Sequence, residues 1–229
     1  MNLKNKTVWI TGGSSGIGLE TAKKFLEAGA NVALASRSEV DLKGAEWFKC
    51  DISDPICVNE TYFQIKQKFG KLDILINNAG NTYFKKFVDT EIEDFDNMSS
   101  VNFRGVFLAT KAVIQDMIKN GSGTIANILS VAVKDTLPMS SVYAATKSAV
   151  EAMSNSLRFE VRDKGINVIN FYPGATKTAI WPPKAVGQKG EKMMEPSEVA
   201  EIVLRNIDLS LAGKAMIEEV FVKPQSGNL

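Results

Sequence analysis

Apolar positions in this chain follow two alternating rhythms. Short runs rich in aliphatic and β-branched residues read as strands: Thr7-Val8-Trp9-Ile10, Asn31–Ser36, Glu46–Cys50, Ile74–Asn77, Gly123–Leu129, Asn167–Tyr172 and Glu218–Val222. Several are apolar throughout rather than at every second position, as expected of strands covered on both faces. Between them apolar residues recur at helical spacing. Ile17, Ala22, Phe25 and Leu26 form one such face, ended by Gly29; Pro55–Phe69, roughly Glu91–Lys119, Ser141–Lys164 and Pro196–Leu209 form the others. Pro55 and Pro196 suit first-turn positions, and Asn120-Gly121 is a helix stop. Strict alternation predicts an α/β fold: one doubly wound parallel sheet of about seven strands, with right-handed crossovers and helices on both faces.

Two connections depart from the pattern. Only Ser38–Gly44 separates the second and third strands, too little for a full helix. After Tyr172 the chain instead runs through Trp181-Pro182-Pro183 to Met193-Met194 with no clear period. A long irregular segment leaving the C-terminal end of a strand reads as a lid over a site, at about 175–195, or as a plain surface insertion. Trp181, Met193 and Met194 would give such a lid an apolar, adaptable lining.

Composition narrows the function. At 229 residues the chain can bury a sizeable core, and residues 1–229 read as a single domain. Basic and acidic residues number 27 and 26 with no single-sign block, which argues against a nucleic-acid or membrane partner. The first strand begins within a few residues of Met1, leaving no room for a signal peptide, and Cys50 and Cys57 make no disulfide framework; both favour a cytoplasmic protein. Histidine is absent. That excludes Ser-His-Asp chemistry, argues against a metal site, and leaves acid–base work to Tyr, Lys or carboxylates.

Candidate chemistry sits at the ends of strands. Thr11-Gly12-Gly13-Ser14-Ser15-Gly16-Ile17-Gly18 links the first strand to the first helix. Its glycines could bring a phosphate against bare amides at the helix N-terminus, or make only a tight turn. Asn77-Asn78-Ala79-Gly80 closes the fourth strand, as a capped turn or as a wall of a ligand site. Tyr143 and Lys147 share a helix face at i and i+4. A lysine cation beside a phenol, whose free pKa is about 10, favours the phenolate and would make that tyrosine a usable acid or base; a solvated surface pair is the alternative. Ser130 follows the fifth strand, placed to donate to a substrate oxygen or simply to cap a turn. Asn102 lies inside a long helix, where asparagine has poor propensity, to hold a water or a backbone carbonyl, or as an ordinary satisfied amide.

Taken together, these residues resemble the classical short-chain dehydrogenase/reductase family. Thr11–Gly18 is similar to its TGxxxGxG turn, Asn77–Gly80 to its NNAG motif and Tyr143/Lys147 to its YxxxK pair; Ser130 lies thirteen positions before the tyrosine, and Asn102 and Pro173-Gly174 fall at family positions. The resemblance runs from about Leu3 to Pro224 and implies a Rossmann-type sheet. It also implies roles. Tyr143 would exchange a proton with the substrate oxygen, Ser130 would polarise that oxygen, Lys147 would bind the nicotinamide ribose and lower the tyrosine pKa, and Asn102 would hold a relay water. Gly12, Ser14, Ser15, Gly16, Ile17 and Gly18 would cradle the pyrophosphate. Asp51 and Ile52 would contact adenine, Asn78, Ala79 and Gly80 would wall the site, and Pro173, Gly174 and Thr178 would contact the nicotinamide end. Thr176 stands where the family usually has an apolar residue.

At the end of the second strand, where an NAD site usually carries a carboxylate, the chain has Ser36-Arg37. Serine plus arginine can bind a 2′-phosphate, so NADP(H) is expected over NAD(H). The ending Ile217–Pro224 lacks the family's frequent glycine-rich close, which resembles branches holding 3-hydroxy acid dehydrogenases and miscellaneous carbonyl reductases more than the 3-oxoacyl reductases. The sequence thus predicts an NADP(H)-dependent reductase or dehydrogenase of a small or medium carbonyl or alcohol. A nucleotide-sensing module and a purely structural oligomer are the alternatives. Family habit pairs the helices at about 91–119 and 141–164 in a homodimer or homotetramer.

Overall fold

A computed structural model describes residues 2–213 and 215–227; Met1, Lys214, Asn228 and Leu229, which the single-domain reading of 1–229 includes, lie outside the described residues. Seven parallel strands form one sheet: β1 (Thr7–Thr11), β2 (Asn31–Ser36), β3 (Ala45–Lys49), β4 (Ile74–Asn77), β5 (Gly123–Ile128), β6 (Ile166–Pro173) and β7 (Glu219–Val222). Their order is β3-β2-β1-β4-β5-β6-β7. Successive crossovers leave β1 in one direction and β4 in the other, so a crevice opens between these two strand ends.

Period-two alternation divides each central strand between two cores. Val8 and Ile10 of β1 join Leu34, Ile74, Ile76 and Phe171 on one face, packed against Phe25 of α1 (Gly16–Glu27). Trp9, Leu75, Ile125 and Val168 point the other way, onto Val58 and Ile65 of α2 (Pro55–Phe69). Asp54 caps α2 by accepting from the Ile56 amide at 2.9 Å, with Pro55 in the first turn. A fully buried Phe or Leu contributes roughly 1.5–3 kcal/mol relative to exposure.

The expected single helix over Glu91–Lys119 is three segments. α3 (Ile92–Ser99) starts on a capping box between Glu91 and Asp94, a wide π turn covers Ser100–Arg104, and α4 (Gly105–Asn120) runs on to a left-handed Gly121. The extra residue in the π turn rotates Asn102 fully inward, which resolves its poor helix propensity. α5 (Ser141–Val161) continues as a 3-10 turn to Lys164. The segment expected to be irregular contains a short helix, α6 (Pro183–Lys189), and a 3-10 turn, started by Pro182-Pro183. α7 (Pro196–Ala212) covers the α1 face, burying Val199, Val203 and Ile207.

One polar feature crosses the core. Asn77, Asn127 and Asn170 are in register on β4, β5 and β6. Asn77 Nδ2 donates to Asn127 Oδ1 at 2.9 Å, Asn127 Nδ2 donates to Asn170 Oδ1 at 3.0 Å, and Asn170 exchanges bonds with Ser154 of α5. This row fixes the three strand ends laterally at the level of the crevice. Asn127→Leu strands its neighbours' amide groups in a dry interior and is expected to cost about 2–3 kcal/mol, read as a lower urea midpoint at unchanged slope.

Candidate active site

The crevice is built first by a lacing of backbone and side chain. Thr11 Oγ1 accepts from the Asn78 and Ala79 amides at 3.0 and 3.1 Å. Asn78 Nδ2 returns two bonds, to Thr11 O at 3.0 Å and Gly12 O at 2.9 Å. The strand ends are thereby drawn so close that two glycines are obligatory. Gly12 has φ +66° and a Cβ there would meet Ala79 Cα at 2.7 Å; a Cβ on Gly18 would meet Asn78 Nδ2 at 2.3 Å. Ser15, at the N-cap of α1, makes no side-chain capping bond, so it leaves the first-turn amides of that helix to a ligand. A bare-backbone cradle beside uncapped amides is what a dinucleotide pyrophosphate requires, so these residues fit that group.

A cavity of about 490 Å³ runs from this cradle in both directions. Gly12, Ser14, Ser15, Gly16 and Ile17 line its middle; Ser36, Arg37, Asp51 and Ile52 line one end; Asn78, Ala79, Gly80, Ser130, Tyr143, Lys147, Pro173, Gly174, Thr176 and Thr178 line the other. Gly18 and Asn102 do not line it, and both act one step back, Gly18 through its close approach to Asn78. Asn102 clasps the backbone of Asn81: its Oδ1 accepts from the Asn81 amide at 2.8 Å and its Nδ2 donates to Asn81 O at 2.9 Å and to Thr146 Oγ1 at 3.1 Å. Of the alternatives for this residue, the structure has the backbone carbonyl.

Two expectations change. Ser36 Oγ donates to Ser38 O at 2.7 Å and accepts from Trp47 Nε1 at 3.0 Å, so its proton is committed inside the protein. Arg37 by contrast is exposed, and no hydrogen bond or ion pair engages it among the described residues. Met193 and Met194 are buried beneath the expected lid rather than facing the cavity, because Met194 joins the sheet core and bridges Thr176. Sequence reasoning also overlooked Ser38, Cys50, Asn81, Thr82, Phe84 and Leu137, which line the cavity from loops that carry no periodic signal.

Burial is the largest influence on both members of the Tyr143–Lys147 pair. Burial pushes the Tyr143 hydroxyl above the ordinary tyrosine range, and the nearby Ser130 hydroxyl offsets this in part. Lys147 Nζ donates to Ile128 O at 2.8 Å and lies 6.0 Å from the tyrosine ring centroid. Burial pulls the Lys147 pKa from 10.5 down to about 8. Asp51 is held as a carboxylate by the hydroxyl and amide of Ser53, with the Arg37 charge assisting.

A lysine whose folded pKa lies below its unfolded value leaves the unfolded chain holding more protons between the two. Stability therefore rises as pH climbs from about 8 to 10.5, by up to about 3 kcal/mol, and the penalty is fully present below that window. Lys147→Met is expected to be more stable than the parent at pH 7, with the gap closing by pH 10.5. Denaturant titrations at several pH values test this, and a pH-independent gap contradicts it.

The sequence model of the short chain dehydrogenase family matches residues 6–188. An uncharacterized oxidoreductase of Staphylococcus aureus (strain USA300) is 31% identical over 97% of this chain and 98% of its own length. Among solved structures, a short-chain type dehydrogenase/reductase from Mycobacterium marinum superposes with TM-score 0.88 at 26% identity, covering 97% of this chain and 95% of that one. ElxO with NADP bound superposes with TM-score 0.84 at 27% identity, covering 96% and 97%. With the glycine cradle, the β1/β4 crevice and the Ser130–Tyr143–Lys147 set on one cavity, this chain belongs to the short chain dehydrogenase family of oxidoreductases.

Proposed function

We propose that the protein is an NADP(H)-dependent oxidoreductase that interconverts a small or medium carbonyl compound and its alcohol. The observation that carries this reading is the continuity of one cavity from the phosphate cradle to Ser130, Tyr143 and Lys147. A nicotinamide cofactor bound along it supplies or accepts the hydride. In the reductive direction Tyr143 Oη gives its proton to the substrate oxygen as charge builds there, and the Ser130 hydroxyl donates a hydrogen bond to the same oxygen. A phenol kept protonated by burial suits the acid role. Lys147, with a proton held at about 8, is a donor to the cofactor ribose and a route for replenishing the tyrosine proton. Asn102, through its clasp on Asn81, positions this wall.

Preference for NADP(H) over NAD(H) rests on Arg37. Its guanidinium lies at the cavity end, where its charge also acts on Asp51, and Ser38 supplements it where the Ser36 hydroxyl is already engaged. The similar ElxO structure holds NADP. The two free thiols, Cys50 and Cys57, fit a reducing cytoplasm, and no described helix is long and apolar enough to cross a membrane. A homodimer or homotetramer would cover Phe95, Phe107 and Phe159, which are 49%, 48% and 72% exposed on α3, α4 and α5.

Tyr143→Phe is expected to lower kcat by about 100- to 1000-fold while NADPH still binds; unchanged turnover sinks the mechanism, and binding without turnover in the parent favours a nucleotide sensor. Arg37→Ala should weaken NADPH about 10- to 100-fold, the worth of a charge-assisted contact, and leave NADH nearly untouched. Equal losses for both would remove the phosphate assignment.

A further inference from the structure

Beyond the reaction class, the wall of the cavity around Tyr143 has a chemical character of its own. Asn81, Thr82, Phe84, Val131, Leu137, Ala179, Ile180 and Trp181 complete it. Phe84, from the loop after β4, and Trp181, from the segment after β6, stack at 5.0 Å between centroids with 17° between planes. Each ring covers the facing side of the other, so the pair lines the cavity as one aromatic wall. Such rings favour an offset-stacked planar guest over a saturated chain of equal area.

Charge is the second constraint. Among the described residues that line the cavity the cations are Arg37 and Lys147. Arg37 follows β2 and Ser130 follows β5, with β1 and β4 between those strands; three strand spacings put them roughly 14 Å apart. Lys147 already donates to Ile128 O at 2.8 Å. No third cation among these residues is left to meet a substrate carboxylate or phosphate. Two neutral groups are left instead: Asn81 Oδ1 and Thr82 Oγ1 are buried and have no partner. An amide oxygen and a hydroxyl can meet a neutral polar substituent, but they do not compensate a desolvated anion.

We infer that the stacked Phe84–Trp181 pair is the aromatic wall of a neutral slot, and that the substrate is a flat, uncharged carbonyl compound carrying a second neutral polar group, such as an ester, amide or further carbonyl. This rests on the carbonyl–alcohol reading above and sets aside 3-oxo acids and other anionic substrates. Phe84 and Trp181 are then the specificity-determining residues.

Three compounds separate charge from ring at one reacting centre: methyl benzoylformate, benzoylformate and methyl pyruvate. With NADPH, kcat/KM for benzoylformate should fall about 100-fold or more below that of its methyl ester, since its carboxylate would be buried unpaired. Trp181→Ala should lower the preference for methyl benzoylformate over methyl pyruvate about tenfold, mainly through KM. Ile180→Arg, which adds a cation beside the slot, should narrow the gap between the acid and its ester. Comparable turnover of acid and ester, or an undiminished aromatic preference in both Trp181→Ala and Phe84→Ala, overturns the slot. Calorimetry on the NADP⁺-saturated protein keeps the two readings apart. Binding of the aromatic ester but not the acid, without any turnover, upholds the slot and defeats the reductase reading. Failure to bind the aromatic ester, with methyl pyruvate reduced, defeats the slot and leaves the reductase reading standing.

Discussion

The structure depends on closing the seam at which its sheet changes direction. Chain segments depart from β1 and β4 toward opposite edges, so beyond the ladder that pairs Val8–Ile10 with Ile74–Ile76 the crevice rim depends on side-chain ties. Thr11 and Asn78 supply them by exchanging four hydrogen bonds across the seam. Each residue satisfies backbone groups that a strand end would otherwise leave bare. The resulting proximity is what demands glycine at positions 12 and 18. It also sets the height of Asn81, which Asn102 then ties to Thr146 of α5. Thr146 in turn donates to the Tyr143 carbonyl at 2.8 Å. A single line of hydrogen bonds thus runs from the phosphate cradle to the helix that presents the phenol.

Polar groups inside this protein are concentrated near that line. The asparagine row beneath the crevice, Asn102 in its π turn and Lys147 are all buried. An apolar core would stabilise the sheet more simply, since each buried polar group costs desolvation that its bonds only offset. Asn77 and Asn127 lie toward the C-terminal ends of β4 and β5, and Asn102 and Lys147 approach the same region from the helical segments. Lys147 is the extreme case, an ammonium retained where burial weakens its hold on its own proton.

Much of this was legible in the sequence because it depends on local chemistry. Apolar runs of strand length and helical periods predict the sheet and its helices, with Pro55 and Gly121 marking ends where the structure has them. The cradle, Asn78, Ser130, Tyr143 and Lys147 sit at strand ends or on one helix face, so spacing alone brings them to one cavity. What could not be read depends on contacts between distant segments. The π turn at Asn102 exists because Asn81, twenty-one residues away, takes both ends of its amide. The commitment of Ser36 needs Trp47 on a neighbouring strand. Met193 and Met194 look like lid residues by composition, and become core because the segment after β6 returns to pair at Thr176. The sign of the Tyr143 shift likewise depends on how deeply the phenol sits and on where Lys147 sends its proton.

That return at Thr176 has a mechanical consequence. Backbone bonds from Lys177 to Met194 and from Met194 to Ala175, at 2.9 and 3.0 Å, pin both feet of the segment carrying α6. Its span is therefore a hoop fastened at the base. Across the mouth, the described ring contact between the hoop and the facing loop is the pair Phe84 and Trp181. A stacked pair contributes about 0.5–1.5 kcal/mol in addition to the burial of its rings. The entrance is thus bordered by one stacked aromatic pair, carried on a segment whose two ends are tied into the frame.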